Sequence, residues 1–293
     1  MTATTVRTLA GLSGAKVLLM ARDDRHWFVR KLARDPGFNA RLRRQMDKQV
    51  AFTEAGLEEV GAPGVLDHGL HDGCFYFDME YIRGVDGVSF LRRASYAEVI
   101  AFADRLSAYV QTIAARPPLL ASRATPFEAL YGKICDVQRR TNALDGETLA
   151  RLFLALEALR RVGASVRPTL CHGDFTLENC VIDDEGRLWL LDLLDAPFEH
   201  YWQDLTKLHQ DLEGGWYQLD GEPVAHSVLA YVSQRLIAAA TKLDAGYLGV
   251  HAVLLACTFV RILPYVRTDA ERRFVTHRID HFARLASESE GAP

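Results

Sequence analysis

Between Cys171 and Asp195 the chain reads CHGDFTLENCVIDDEGRLWLLDLLD. Asp174 and Asn179 precede the apolar stretch CVI, and Asp192 and Asp195 follow a second one, RLWLL. A buried, ionised carboxylate without a partner costs several kcal/mol or becomes protonated, so acids at the edges of core strands usually have something to hold. The turn Asp183-Asp184-Glu185-Gly186 folds the two stretches into a hairpin, which lets Asp174, Asn179 and Asp192 converge at one end. A neutral amide plus a carboxylate is a hard-oxygen donor set suited to Mg²⁺, which takes its other ligands from water and substrate phosphates. A second carboxylate nearby can orient a nucleophilic hydroxyl and accept its proton.

The elements that must position these residues are legible on either side. Val17 to Met20 and Trp27 to Leu32 flank a polar turn and read as an antiparallel strand pair. Asp35 and Pro36 open a helix whose inward stripe includes Leu42, Gln45, Met46, Gln49 and Val50. Gly64 to Leu70 and Cys74 to Ile82 form another strand pair, giving about five strands and one helix. Ser89 to Ala115 and Pro126 to Val162 are helical, Pro168 to Leu194 returns to short strands, and Gln203 to Glu288 is again helical. A small β-rich part followed by a larger helical one suits a ligand cleft.

The bulk numbers fit that picture. A chain of 293 residues, 49% hydrophobic and 25% charged, is long enough for one large or two smaller cores. A formal net charge of −4 gives no overall bias toward nucleic acid or anionic lipid. The five cysteines are scattered without zinc spacing and read as free thiols. Tyr247 to Tyr265 is strongly apolar, but His251, Arg261 and Pro264 interrupt it, so a buried core helix is expected rather than a membrane span. The N-terminal residues lack the apolar core of a signal peptide, and a cytoplasmic protein is expected.

His172-Gly173-Asp174 followed by Asn179, then Asp192, Asp195 and Asp204-Leu205, resembles the motifs of the aminoglycoside phosphotransferase and choline kinase family. The resemblance implies an α+β, bilobal protein-kinase-like fold with a small β-rich N-lobe, residues 1–83, that binds nucleotide. The larger, mainly helical C-lobe, residues 84–293, would carry the catalytic loop, metal site and acceptor site. By the same resemblance Asp174 is the catalytic base, Asn179 and Asp192 bind Mg²⁺, and His172 and Asp204 support the loop. FVRKL is similar to the strand carrying the nucleotide lysine, which implies Lys31 on the α- and β-phosphates, with Arg30 as its neighbouring contender. Successive strand side chains face opposite ways, so only one of the two can serve.

The turn at Ser13 and Gly14 would cover the phosphates, and the backbone of Glu80, Tyr81 and Ile82 would meet the base of ATP or GTP. Counted back from Pro63, Gln49 stands where the family usually has a glutamate, and an amide accepts a hydrogen bond without neutralising charge. The implied activity is transfer of a γ-phosphate to a hydroxyl of a small metabolite. The run DLLDAPFEHYWQDLTKLHQD is similar to members associated with surface-polysaccharide biosynthesis, which implies a neutral sugar or polyol. Asp195 and Glu199 would accept hydrogen bonds from its hydroxyls. Two alternatives are a cationic acceptor, such as choline, ethanolamine or an aminoglycoside, and a nucleotide-binding regulator without transfer activity.

Overall fold

A computed structural model describes residues 4–9, 15–23, 26–119, 125–163, 166–219 and 222–289. They fall into two compact units, Met1–Gly87 with Asn179–Asp195, and Val88–Glu178 with Ala196–Pro293. Ser13 and Gly14 lie outside the described residues.

The first unit is built on an antiparallel sheet in the order β1-β2-β3-β5-β4, formed by β1 (Thr4–Leu9), β2 (Ala15–Ala21), β3 (Trp27–Ala33), β4 (Val65–His71) and β5 (Cys74–Glu80). Helix α1 (Asn39–Glu54) follows a 3-10 turn at Pro36–Phe38, where proline supplies its fixed φ at the first position. Its Leu42 and Met46 pack on Leu19, Val29, Phe75, Phe77 and Met79 of the sheet. These apolar side chains alternate along β3 and β5, as a sheet with one covered face requires. A second sheet, ordered β6-β7-β8, comprises β6 (Gly84–Asp86), β7 (Cys180–Asp183) and β8 (Leu188–Leu190). Gly61 ties it to the chain before β4: its N–H donates to Leu188 O and its carbonyl accepts from Leu190 N–H, both at 2.8 Å.

The second unit is helical: α2 (Gly87–Arg93), α3 (Tyr96–Ala114), α4 (Pro126–Thr141), α5 (Gly146–Gly163), α6 (Tyr201–Leu212), α7 (His226–Leu243), α8 (Tyr247–Val260) and α9 (Asp269–Ser289). Ser95 with Glu98, and Thr125 with Glu128, form reciprocal capping boxes that start α3 and α4. Helix α8 packs along α9, α5 and α6. Ten of its residues are buried, so its apolar composition is that of a core helix.

The sequence reads as short strands from Pro168 onward, but among the described residues strand structure resumes only at Cys180. The reason is that carboxylates capture the donors a ladder would need. Asp204 accepts the N–H groups of His172 and Gly173, and Asp211 accepts that of Leu177, all at 2.8 Å. The N–H groups of Thr169, Leu170 and Thr176 go instead to the carbonyls of Glu199, Arg116 and Asp174, so the segment is a loop held by side chains and non-strand carbonyls.

Candidate active site

In the first unit, β3 turns Lys31 and Arg30 to opposite sides. Lys31 is 5% exposed, and its Nζ donates to Asp192 Oδ1 at 2.6 Å. Arg30 instead forms a two-pronged pair with Asp78, Nε to Oδ1 at 2.7 Å and Nη2 to Oδ2 at 2.8 Å. That hydrogen-bonded pairing holds its guanidinium pKa above the ordinary value, against the opposing effect of burial.

Asn179 and Asp192 flank the open end of the β7–β8 hairpin, where Leu191 N–H donates to the Asn179 carbonyl at 2.8 Å. Asp192 has φ 60°, in the left-handed region. Aspartate tolerates that region better than bulkier side chains do. The side chains of Asn179 and Asp192 supply only oxygen acceptors and amide protons, a set that fits Mg²⁺ and not a soft metal.

The buried Gln49 donates from Nε2 to the Pro63 carbonyl at 2.7 Å and contacts Met79 Sδ at 3.3 Å. It anchors α1 to the chain entering β4, while Lys31 takes its carboxylate from Asp192. Lys48, one position earlier and also buried, donates to the Leu194 carbonyl at 2.8 Å. Asp195 accepts from Arg44 Nε at 2.9 Å. At the end of β5, Glu80 is anchored twice to Gly64: its N–H donates to the Gly64 carbonyl at 3.0 Å, and its carboxylate accepts the Gly64 N–H at 2.9 Å. Tyr81 and Ile82 follow immediately, outside the strand.

In the second unit the loop around Asp174 is organised by α6. Asp204 accepts from His172 N–H, Gly173 N–H and the Tyr109 hydroxyl, each at 2.8 Å. Gly173 has φ 96°, a backbone state that a side chain would strain, and it lets adjacent N–H groups reach one carboxylate. The His172 ring accepts the Asp174 N–H at 3.2 Å. Asp174 Oδ1 lies 2.9 Å from Lys207 Nζ. Burial pushes the Asp174 carboxyl pKa up, but Lys207, with help from Arg261 and His172, more than offsets this and holds it below the ordinary carboxylate range.

Asp211 is the opposite case. Burial, reinforced by Glu178 and Asp174, drives its carboxyl up to about 7 despite the Leu177 N–H and Lys207. Glu199 is buried in the loop preceding α6, where it accepts from the Cys171 thiol at 3.2 Å and the Ala196 N–H at 3.3 Å.

Lys207, Tyr109 and Arg261 are not expected in the site from sequence, while Asp211 is expected there only as an acid for a cationic acceptor. Lys207 carries a signal, since Asp204, Lys207 and Asp211 recur at spacings of three and four and must share one face of α6. Arg261 carried another, as a charge in an otherwise apolar helical run.

The sequence matches the model of a phosphotransferase enzyme family over residues 5–243. The chain belongs to this phosphotransferase family. It is a phosphotransferase with an alcohol group as acceptor. Comparison with curated proteins yields no match. Among solved structures, APH(2")-IIia in complex with GDP and kanamycin is similar over 99% of this chain and 94% of its own, at 15% identity and a TM-score of 0.66. A putative fructosamine-3-kinase from Thermobifida fusca matches over 98% and 94%, at 16% identity and 0.65. The choline kinase LicA from Streptococcus pneumoniae matches over 97% and 94%, at 14% identity and 0.61. At these identities the likeness establishes the fold, and the α+β, protein-kinase-like architecture expected from sequence is the one observed.

Proposed function

We propose that this phosphotransferase is a small-molecule kinase that moves the γ-phosphoryl group of ATP or GTP to a hydroxyl of a sugar or polyol. The observation that carries the reading is the state of Asp174, an ionised carboxylate 2.9 Å from Lys207 on a loop whose backbone is fastened to Asp204. Such a carboxylate accepts the acceptor's hydroxyl proton as its oxygen bonds to the γ-phosphorus. The bond from that phosphorus to the β,γ-bridging oxygen breaks, and the nucleoside diphosphate leaves with the electron pair. Positioning and charge neutralisation supply most of the acceleration.

Lys31 binds the α- and β-phosphates, a role favoured by its buried pairing with Asp192, whereas Arg30 is committed to Asp78. Ser13 and Gly14, assigned to the phosphates by the motif resemblance, lie outside the described residues, and the backbone of Glu80 to Ile82 meets the base. Asn179 and Asp192 would hold Mg²⁺, which supplies charge neutralisation on the phosphates when bound. Asp174 precedes Asn179 by five residues in the sequence. In this division nucleotide binding belongs to residues 1–83 and acceptor chemistry to 84–293, and the protein works in the cytoplasm, where Mg-nucleotide is supplied.

Structural relatives include complexes of GDP with kanamycin and of ATP with streptomycin, so both purine nucleotides occur on this fold. Relatives named as fructosamine and choline kinases widen the range of acceptors. A cationic acceptor is disfavoured here because Lys207 stands against Asp174, while Asp195 is paired with Arg44 and Glu199 is turned into its own loop. Asp174→Asn is expected to lower kcat by about 10²–10⁴-fold while Mg-nucleotide affinity stays within a few-fold. Steady-state kinetics showing a normal kcat in the variant would overturn the assignment.

A further inference from the structure

Helix α6 packs against α7 and α8, and its C-terminal end carries side chains that phosphotransfer leaves unused. His209, in the last turn of α6, and Glu213, the residue that caps it, are four positions apart and share a face, and His251 meets them from α8. One nitrogen or oxygen atom from each lies within 4.8 Å of the other two. His251 Nε2 stands 3.2 and 3.1 Å from the two Glu213 oxygens, and His209 Nδ1 stands 2.9 Å from Oε1. The two imidazoles are nearly perpendicular, with centroids 4.7 Å apart.

The His209 contact is close without being a hydrogen bond. Both ring nitrogens are sealed from solvent and have no hydrogen-bond partner among the described residues, although the Glu213 carboxylate is beside one of them. A nitrogen that lies next to an oxygen but aims past it has the arrangement of two ligands in one coordination shell, whose lone pairs converge on a third point. Tetrahedral Zn²⁺ bonded at about 2.0–2.2 Å sets neighbouring donor atoms about 3.3–3.6 Å apart, so the separations seen here need to open by only a few tenths of an ångström. The Glu213 side chain is 27% exposed and that of His251 13%, so an ion reaches the carboxylate from solvent and meets His209 behind it.

The surroundings supply the outer partners that such ligands use. The Tyr247 hydroxyl is 3.0 Å from His251 Nδ1, and an imidazole that ligates through Nε2 donates its Nδ1 proton to that oxygen. The Ser233 hydroxyl donates to Glu213 Oε1 at 2.7 Å, which fixes the carboxylate and leaves Oε2 for a metal.

We propose that His209, Glu213 and His251 form a Zn²⁺ site with water in the fourth position. Two imidazoles and a carboxylate suit Zn²⁺, whereas Mg²⁺ and Ca²⁺ take oxygen ligands. The ion would fasten to α8 the end of the helix whose Asp204 and Asp211 hold the Asp174 loop. It would also lie at the negative end of the α6 dipole, where a cation is favoured. The site uses none of the residues assigned to phosphotransfer, and the proposal stands independently of the kinase reading.

The test titrates the full chain, stripped with EDTA and desalted, with Zn²⁺ against a chromophoric chelator, in excess Mg²⁺ to fill oxygen-only sites. One equivalent is expected to bind. Affinity should fall about tenfold in Tyr247→Phe, the scale of an outer-shell loss, and about 100-fold or more in His251→Gln and Glu213→Gln. Zn²⁺ should raise the melting temperature of the parent and not that of His251→Gln, with circular dichroism of the metal-free variants confirming that they fold. Co²⁺ in place of Zn²⁺ should give the visible bands of a tetrahedral nitrogen and oxygen site without thiolate charge transfer. No stoichiometric Zn²⁺ in the parent, or parent-like affinity in folded His251→Gln and Glu213→Gln, would overturn the proposal. Thiolate bands in the Co²⁺ spectrum would overturn it too, by assigning the metal to cysteine.

Discussion

At the scale of single residues, the neighbours Lys31 and Arg30 show how strand geometry separates chemistry from structure. Both are cations on β3, but one faces Asp192 and the other Asp78. Asp78 is 1% exposed, so removing Arg30 strands a buried carboxylate. Arg30→Met is therefore expected to cost about 2–4 kcal/mol of folding stability with little change in nucleotide affinity. Lys31→Met leaves the sheet intact and should weaken Mg-nucleotide binding tenfold or more. Urea unfolding and calorimetric titration of the two variants check this together, and a reversal of the two phenotypes would reassign the phosphate-binding side chain.

At the scale of elements, α6 organises the loop that carries Asp174. Asp204 and Asp211 hold the loop's backbone while Lys207, on the same face, pairs with the Asp174 carboxylate and helps hold its pKa down. The helix begins at His200, whose Nδ1 accepts the Trp202 N–H at 3.3 Å, and burial lowers the imidazole pKa to about 3. An imidazole buried neutral has a folded pKa below its unfolded value near 6.5, so the unfolded state binds more protons between them. Its contribution is complete above about pH 6.5 and is lost as pH falls toward 3, amounting to about 2 kcal/mol by pH 5. Asp211 works in the other direction. Its folded pKa of about 7 exceeds the unfolded value of 3.8, so its contribution fades as pH rises through that range. His200→Asn keeps an oxygen acceptor at the helix start and removes the titration. The difference in stability between parent and variant should then shrink the parent's advantage steadily from pH 6.5 to 4.5, as measured by denaturant unfolding at each pH. A difference independent of pH would show that His200 is not buried neutral.

At the scale of the whole molecule, a bound nucleotide should act on stability by mass action. Mg-ADP at about 100 times its Kd adds about 2.7 kcal/mol, which for a chain of this size raises the Tm by several degrees. The shift is expected to persist in Asp174→Asn and to vanish in Asp192→Ala and Asn179→Ala. A scan in which all three behave alike would reject the separation of base from metal ligands.

Much of the fold follows from patterns within short windows. Alternation marks the strands around Lys31 and Cys74 and three-to-four-residue spacing marks α1, whereas the stretch read as helical from Pro126 to Val162 is two helices, Pro126–Thr141 and Gly146–Gly163. The loop motif from His172 to Asn179 and the acid at Asp192 were likewise visible, because those residues are close along the chain. What the windows could not supply was partnership at a distance. Lys31 and Asp192 are separated by 161 positions, and nothing local to either names the other. Gln49 lies on the inward stripe of α1, but only the packed unit directs its amide to Pro63 rather than to the lysine. Lys207 acquires its meaning from standing 2.9 Å from Asp174, and the backbone donors of His172, Gly173 and Leu177 in the preceding loop are captured by carboxylates of α6. Periodicity reports which face of an element is buried; which charges then meet across the core is decided by long-range packing, where one carboxylate's partner sets both its ionisation and its chemistry.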